Sequence, residues 1–335
     1  MPKQNTEPSP TFALGVTRRT KLTQRFEQSG MRGLLRWTGQ WLYWNGQLYH
    51  IAIARAKLSR AVKTNELRLR WKMRRRHKKF NIQDPIIVYQ MGKVGSTTIY
   101  RSLQELDLDV PIYQLHFLTE LDDVAAWAQE HLNQPATALR AVERARRVRQ
   151  EIQANPEQSW NLVSMVRLPI PRLISSFWEN IESNVPEFQR RHAAGKLSAQ
   201  EIIDIFLHNL PHDWAEYWYD RQLKSIFEID VFAEPFERDA GYRIYRGQRA
   251  RLLLLRLEDL DRVAAPALYE FLAIPHLALR DRNVGRQKNH GALYREFLER
   301  LRLPDEFIAR THNTRYALHF YTYSELEASV RRWRA

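Results

Sequence analysis

The chain has 335 residues, no cysteine, a formal net charge of +14, and 44% apolar against 27% charged residues. That length suits one large domain plus an appendage, and the lack of cysteine excludes a disulfide framework or a thiolate metal site. No H-E-x-x-H metalloprotease motif occurs among the eleven histidines, and no run of roughly 18 apolar residues reads as a membrane span. The sequence thus predicts a metal-free, cytoplasmic chain whose contact with a membrane is at most peripheral.

The charge is uneven. Residues 1–84 hold 19 Lys and Arg against four carboxylates, and the remainder is close to neutral. Residues 1–30 are polar and predict disorder. Residues 31–84 predict a basic amphipathic helical extension: Leu34, Trp37, Trp41, Trp44, Leu48, Ile51 and Leu58 recur at three-four spacing, with Arg55 the one break in the series. Three placements compete for this stripe: packing on the following domain, pairing with a second chain in a homodimer, or lying in a membrane interface. The run from Arg68 to Lys79 attracts polyanions such as an anionic membrane surface or an acidic glycan. No helix-turn-helix, finger or ribonucleoprotein signature accompanies it, which argues against specific nucleic-acid recognition.

Residues 85–335 predict one catalytic domain. Ile86-Ile87-Val88-Tyr89 reads as a buried strand, followed by Gly92-Lys93-Val94-Gly95-Ser96-Thr97-Thr98 and a helix. The glycines allow a tight turn and the hydroxyl residues fit a helix start, where free N–H groups and the helix dipole favour an anion. Lys93 adds a charge inside the loop. The order differs from a Walker A loop, in which lysine directly follows the last glycine and precedes a magnesium-binding hydroxyl.

A second strand is expected over Pro111–Phe117, bearing His116, then helices over Asp122–His131 and Ala136–Ala154. A third strand, Asn161–Val166, leads into Arg167-Leu168-Pro169-Ile170-Pro171, with a helix from Arg172 to about Ser183 carrying Ser175. A guanidinium at a strand end and a serine eight residues on can grip a phosphate from two sides. Further expectations are a hairpin near Tyr242–Tyr245, a strand over Arg251–Leu257, and helices over Ala264–Leu272, His290–Leu301 and Ser324–Arg334. Alternation of strands and helices predicts an α/β fold with a parallel sheet flanked by helices. Glu258 and Asp259 are read as caps of the next helix.

The glycine loop and the Arg167/Ser175 pair together resemble the cofactor motifs of sulfotransferases that use PAPS (3′-phosphoadenosine 5′-phosphosulfate). The resemblance is strongest to glycan sulfotransferases and to bacterial capsular polysaccharide synthesis proteins. It covers roughly residues 85–335, and Arg315-Tyr316-Ala317-Leu318-His319-Phe320-Tyr321-Thr322 looks like the latter group. It departs from the family at Leu168, where an Asp is usual.

The resemblance implies a P-loop-like sulfotransferase architecture and an enzyme moving a sulfuryl group from PAPS to a hydroxyl of a saccharide or polysaccharide, without metal. It implies that Gly92, Lys93, Val94, Gly95, Ser96, Thr97 and Thr98 hold the 5′-phosphosulfate and that Arg167 and Ser175 hold the 3′-phosphate. Arg286 and Lys288 would cover the nucleotide. Lys93 would act on the leaving phosphate and His116 as base, with Glu179 in reserve. Two other readings stand beside it: a nucleotide-dependent kinase using Glu258 or Asp259 as a metal-binding acid, and an inactive adaptor for polyanions or membranes.

Overall fold

The computed structural model describes residues 80–132, 135–209, 214–275, 277–280 and 291–334. The expected disordered segment and almost all of the basic extension lie outside the described residues.

The order of elements is β1 (Ile86–Tyr89), α1 (Ser96–Glu105), β2 (Ile112–Leu115), α2 (Leu121–His131), α3 (Ala136–Ala154), β3 (Trp160–Val166) and α4 (Pro169–Glu179). Short helices and α5 (Ala199–Asn209) follow, then a helical stretch whose Tyr219–Lys224 portion is π-helical. The chain continues with β4 (Tyr242–Arg246), β5 (Ala250–Arg256), α6 (Leu260–Leu272), α7 (Gly291–Arg300), α8 (Asp305–His312), α9 (Arg315–Phe320) and α10 (Tyr323–Val330).

The five strands form one sheet in the order β2-β1-β3-β5-β4. The first four in that order run parallel, while β4 pairs antiparallel with β5. The sheet is therefore mixed at one edge rather than wholly parallel. The connection of only three residues between Arg246 and Ala250 explains this, because a parallel return needs a crossover of a dozen or more residues.

Every residue of β1 and β3 is buried, as the apolar runs Ile86–Tyr89 and Leu162–Val163 demand of strands covered on both faces. One cluster of buried side chains lines the sheet. A second, with Ile170, Leu173, Ile174 and Phe177 of α4, Phe206 of α5 and Phe297 of α7, lies among the helices.

Several helix boundaries differ from expectation: α6 begins at Leu260 rather than Ala264, and α10 ends at Val330 rather than Arg334. Helix α4 begins at Pro169, because a proline in the first turn lacks only an N–H that the helix could not use. It stops at Glu179, and Ile181–Asn184 forms a separate turn. At α1 the N-cap is Gly95 in a left-handed conformation with no side-chain cap, so Ser96 and Thr97 belong to the first turn and do not cap it.

Among the described residues no helix is long and apolar enough to cross a membrane.

Candidate active site

Topology decides where the loops gather. From β1 the chain moves through α1 to β2 on one side, then returns through α2 and α3 to β3 on the other. The carboxyl ends of β1 and β3 thus flank a switch point, where connections leave in opposite directions and a crevice opens. The glycine loop follows β1 and Arg167 follows β3.

The two meet. Arg167 Nη1 donates to the Lys93 carbonyl at 3.0 Å. Among the described residues, none of the N–H groups from Gly92 to Thr97 donates a hydrogen bond. Six unclaimed donors around a lysine, at the start of a ten-residue helix, can receive an anion.

The loop's shape is not carried by both glycines. Lys93, with φ of 71°, and Gly95, with φ of 93°, take the left-handed turns. A Cβ on Gly95 would also stand 2.6 Å from Leu257 Cδ1 and 3.0 Å from Met165 Cε. A Cβ on Gly92 would meet nothing within 4 Å, which leaves open space over that part of the loop. Lysine in this region costs of order 1–3 kcal/mol, a strain that the Arg167 bond helps to hold.

Glu179 lies against Lys93, with Oε2 3.2 Å from Nζ, and both side chains are partly exposed. Such a pair contributes at most about 1 kcal/mol, so an incoming anion can displace the carboxylate at small cost.

His116 follows β2, whose Leu115 is paired with Tyr89. Its Nδ1 lies 2.9 Å from the Gln90 carbonyl. Because a carbonyl only accepts, Nδ1 carries the proton and the neutral ring keeps its lone pair on Nε2. Burial lowers the His116 pKa below the ordinary histidine value and the Lys93 charge lowers it further, while the bond to Gln90 opposes both. The Trp218 indole donates to the His116 carbonyl at 2.8 Å. Buried Gln222, in the π-helical turn, accepts from Leu118 N and from the Tyr89 hydroxyl, fixing the segment after His116 against β1.

Arg167 is half-buried, which lowers its pKa, with Glu258 the largest opposing influence. The Tyr316 hydroxyl receives the Arg167 N–H at 2.9 Å and donates to the Arg167 carbonyl at 2.8 Å, so one side chain pins both backbone groups. Glu258 accepts from Leu168 N at 2.8 Å and from the Tyr321 hydroxyl at 2.9 Å. The loop after β3, with Leu168 in it, is thus braced from the turn that follows β5. Glu258 serves α4 rather than its own helix, and Asp259 pairs with Arg256 and Arg262 and makes no capping bond. The expectation that these carboxylates cap the next helix is corrected on both counts.

Tyr316→Phe should leave the Arg167 N–H and carbonyl without their partner and cost about 1–3 kcal/mol of stability. A thermal melt of the variant checks this, and an unchanged midpoint would contradict it.

Ser175 sits in α4, half-exposed, with no side-chain hydrogen bond among the described residues. Arg286 and Lys288 lie outside the described residues. Beside Arg167 opens a cleft of about 630 Å³ lined in part by Tyr294, Arg331, Arg332 and Trp333. Among the described residues no group of three His, Asp or Glu could hold a metal ion.

Sequence reasoning missed Tyr316, Gln222 and the bracing role of Glu258. It also missed Gln90, a fully buried amide at the end of β1 whose two polar atoms lack hydrogen-bond partners. Only the polarity of Gln90 at the end of an apolar strand could have signalled it.

The geometry defines a mixed α/β protein with a cationic, donor-rich crevice at the switch point of its sheet. Residues 197–322 match the family model described as "Putative capsular polysaccharide synthesis protein". No curated protein and no solved structure matches the chain. The matched segment contains Glu258, Tyr316 and Tyr321, which brace Arg167, but neither the glycine loop nor Arg167 itself.

Proposed function

We propose that this chain is a sulfotransferase of P-loop-like architecture, moving a sulfuryl group from PAPS to a hydroxyl of a saccharide used in polysaccharide or capsule synthesis. The observation that carries the reading is the bond from Arg167 to the Lys93 carbonyl, which joins the two resembling motifs at the switch point. The saccharide class rests on the family match over residues 197–322.

The donor set fits the cofactor. Unclaimed N–H groups from Gly92 to Thr97 would hold the 5′-phosphosulfate, and Arg167 with Ser175 would hold the 3′-phosphate. When bound, PAPS supplies an activated sulfuryl group. Lys93 would release Glu179 and lend its charge and N–H donors to the phosphate as negative charge develops on it. His116 takes the acceptor's proton at Nε2, the nitrogen left free by the bond to Gln90. Buried Gln222 and Trp218 hold the imidazole segment in place.

The kinase reading lacks a free acid: Glu258 is engaged by Leu168 N and Tyr321, and Asp259 by two arginines.

Isothermal titration tests the cofactor assignment. PAP (3′,5′-bisphosphoadenosine) should bind about tenfold or more tightly than 5′-AMP, the worth of one charge-assisted contact. Arg167→Ala should remove most of that preference. Equal affinities for the two nucleotides in the native chain would sink the assignment.

A further inference from the structure

A second arginine lies in the same helix. Arg172 is only 6% exposed, yet its guanidinium has no ion-pair or hydrogen-bond partner among the described residues, and its Nε is fully enclosed without one. The other buried guanidinium group among the described residues is provided for. Arg256, similarly buried, pairs with Asp259 and Glu325. An unpaired buried charge is among the more costly features a fold can carry, and among the described residues no carboxylate pairs with it.

Its position is informative. Arg172, Ser175 and Glu179 recur at i, i+3 and i+7 along α4, so they share one face. Glu179 on that face touches Lys93 of the glycine loop. The opposite face, with Ile170, Leu173, Ile174 and Phe177, is buried in the second apolar cluster. Burial lowers the Arg172 pKa, the charge of Arg167 lowers it further, and the neighbouring Tyr316 and Tyr219 oppose. The two guanidinium groups therefore feel each other, with no carboxylate among the described residues paired to Arg172.

We propose that Arg172 is a second anion-binding arginine of this site, its fork completing with Arg167 and Ser175 a pocket for a phosphate monoester. This rests on the cofactor reading in naming the nucleotide 3′-phosphate as the occupant; the shared chemistry is a phosphate group. The bound anion supplies the counter-charge that the unliganded fold lacks. Arg167 binds at the strand end and sets the loop, whereas Arg172 closes the site from below, one helical turn before Ser175.

The test uses the full chain and two readouts. Arg172→Met removes the unpaired charge and keeps an apolar stem, so the unliganded variant should melt about 2–4 °C higher than the native chain. Its affinity for PAP should fall about tenfold to a hundredfold, the range for a charge-assisted contact, with 5′-AMP affected much less. Arg172→Lys keeps the charge without the fork, and PAP should bind it several-fold more weakly than the native chain. Stabilisation of the native chain by inorganic phosphate should be lost in Arg172→Met.

Native PAP affinity in Arg172→Met alongside loss of the PAP preference in Arg167→Ala overturns this inference and leaves the cofactor reading standing. A native chain that does not prefer PAP removes that reading; phosphate then decides alone, and equal phosphate-induced shifts in the native chain and Arg172→Met overturn the anion site as well. A lowered melting point or loss of folding in Arg172→Met, with native PAP affinity in Arg172→Lys, makes the arginine a structural one and also overturns the proposal.

Discussion

Lys93→Ala is expected to lower sulfuryl transfer about a hundredfold to a thousandfold while weakening PAP binding far less. The size follows from removing one preorganised donor from a leaving oxygen. The split follows from the loop, because the N–H groups from Gly92 to Thr97 are backbone and survive the substitution. Alanine carries the same Cβ as lysine, so the left-handed turn at this position is strained to the same degree in both. Single-turnover kinetics and PAP titration on the same preparation separate the two quantities. A variant that turns over normally would remove Lys93 from the reaction, and a variant that loses PAP binding altogether would make it a binding residue.

The second large effect is expected at His116. His116→Ala should cost about a hundredfold to ten-thousandfold in turnover, the usual range for a positioned base, with PAP affinity nearly unchanged. The base acts in its neutral form, so turnover should rise with pH through the imidazole pKa and level off above it. Burial and the Lys93 charge place that ascending limb below 6.5, the ordinary histidine value. The limb should vanish in the variant. If turnover and limb both persist, Glu179 becomes the base to examine, since it already touches Lys93. Unchanged PAP affinity also shows that the glycine loop and the Arg167 segment have kept their fold.

Much of this site was legible because its signals are local. The β-branched run at Ile86–Val88, the glycine spacing after it, and the arginine ending the apolar strand Asn161–Val166 each identify themselves within a few residues. The support around them is not local. Tyr316 reaches Arg167 across 149 positions, and Gln222 reaches Leu118 across 104. No periodicity or composition encodes such pairings, which arise only when the helices fold back on the sheet. Lys93 misleads for another reason: glycine is the usual residue at positive φ, so Gly92 drew the expectation that the neighbouring lysine fulfils. Arg172 looked like any helix-start arginine, because burial without a partner cannot be read from sequence. The expected parallel sheet holds for four strands and gives way at β4, where a short return fixed the opposite direction near the expected hairpin.

Helix α4 carries Arg172, Ser175 and Glu179 on one side and Ile170, Leu173, Ile174 and Phe177 on the other, packed near Phe206 and Phe297. That aromatic cluster therefore acts as the helix's bearing. Arg172, Ser175 and Glu179 are fixed to one rigid rod, so a small slide or roll of the rod displaces all three relative to the glycine loop together. Volume changes at Phe206 or Phe297 would reach the crevice as a shared misalignment rather than as the loss of any one contact. Precision at the proposed anion site is thus set in part by residues of the second apolar cluster, and the tolerance of that cluster to substitution is the mechanical tolerance of the site.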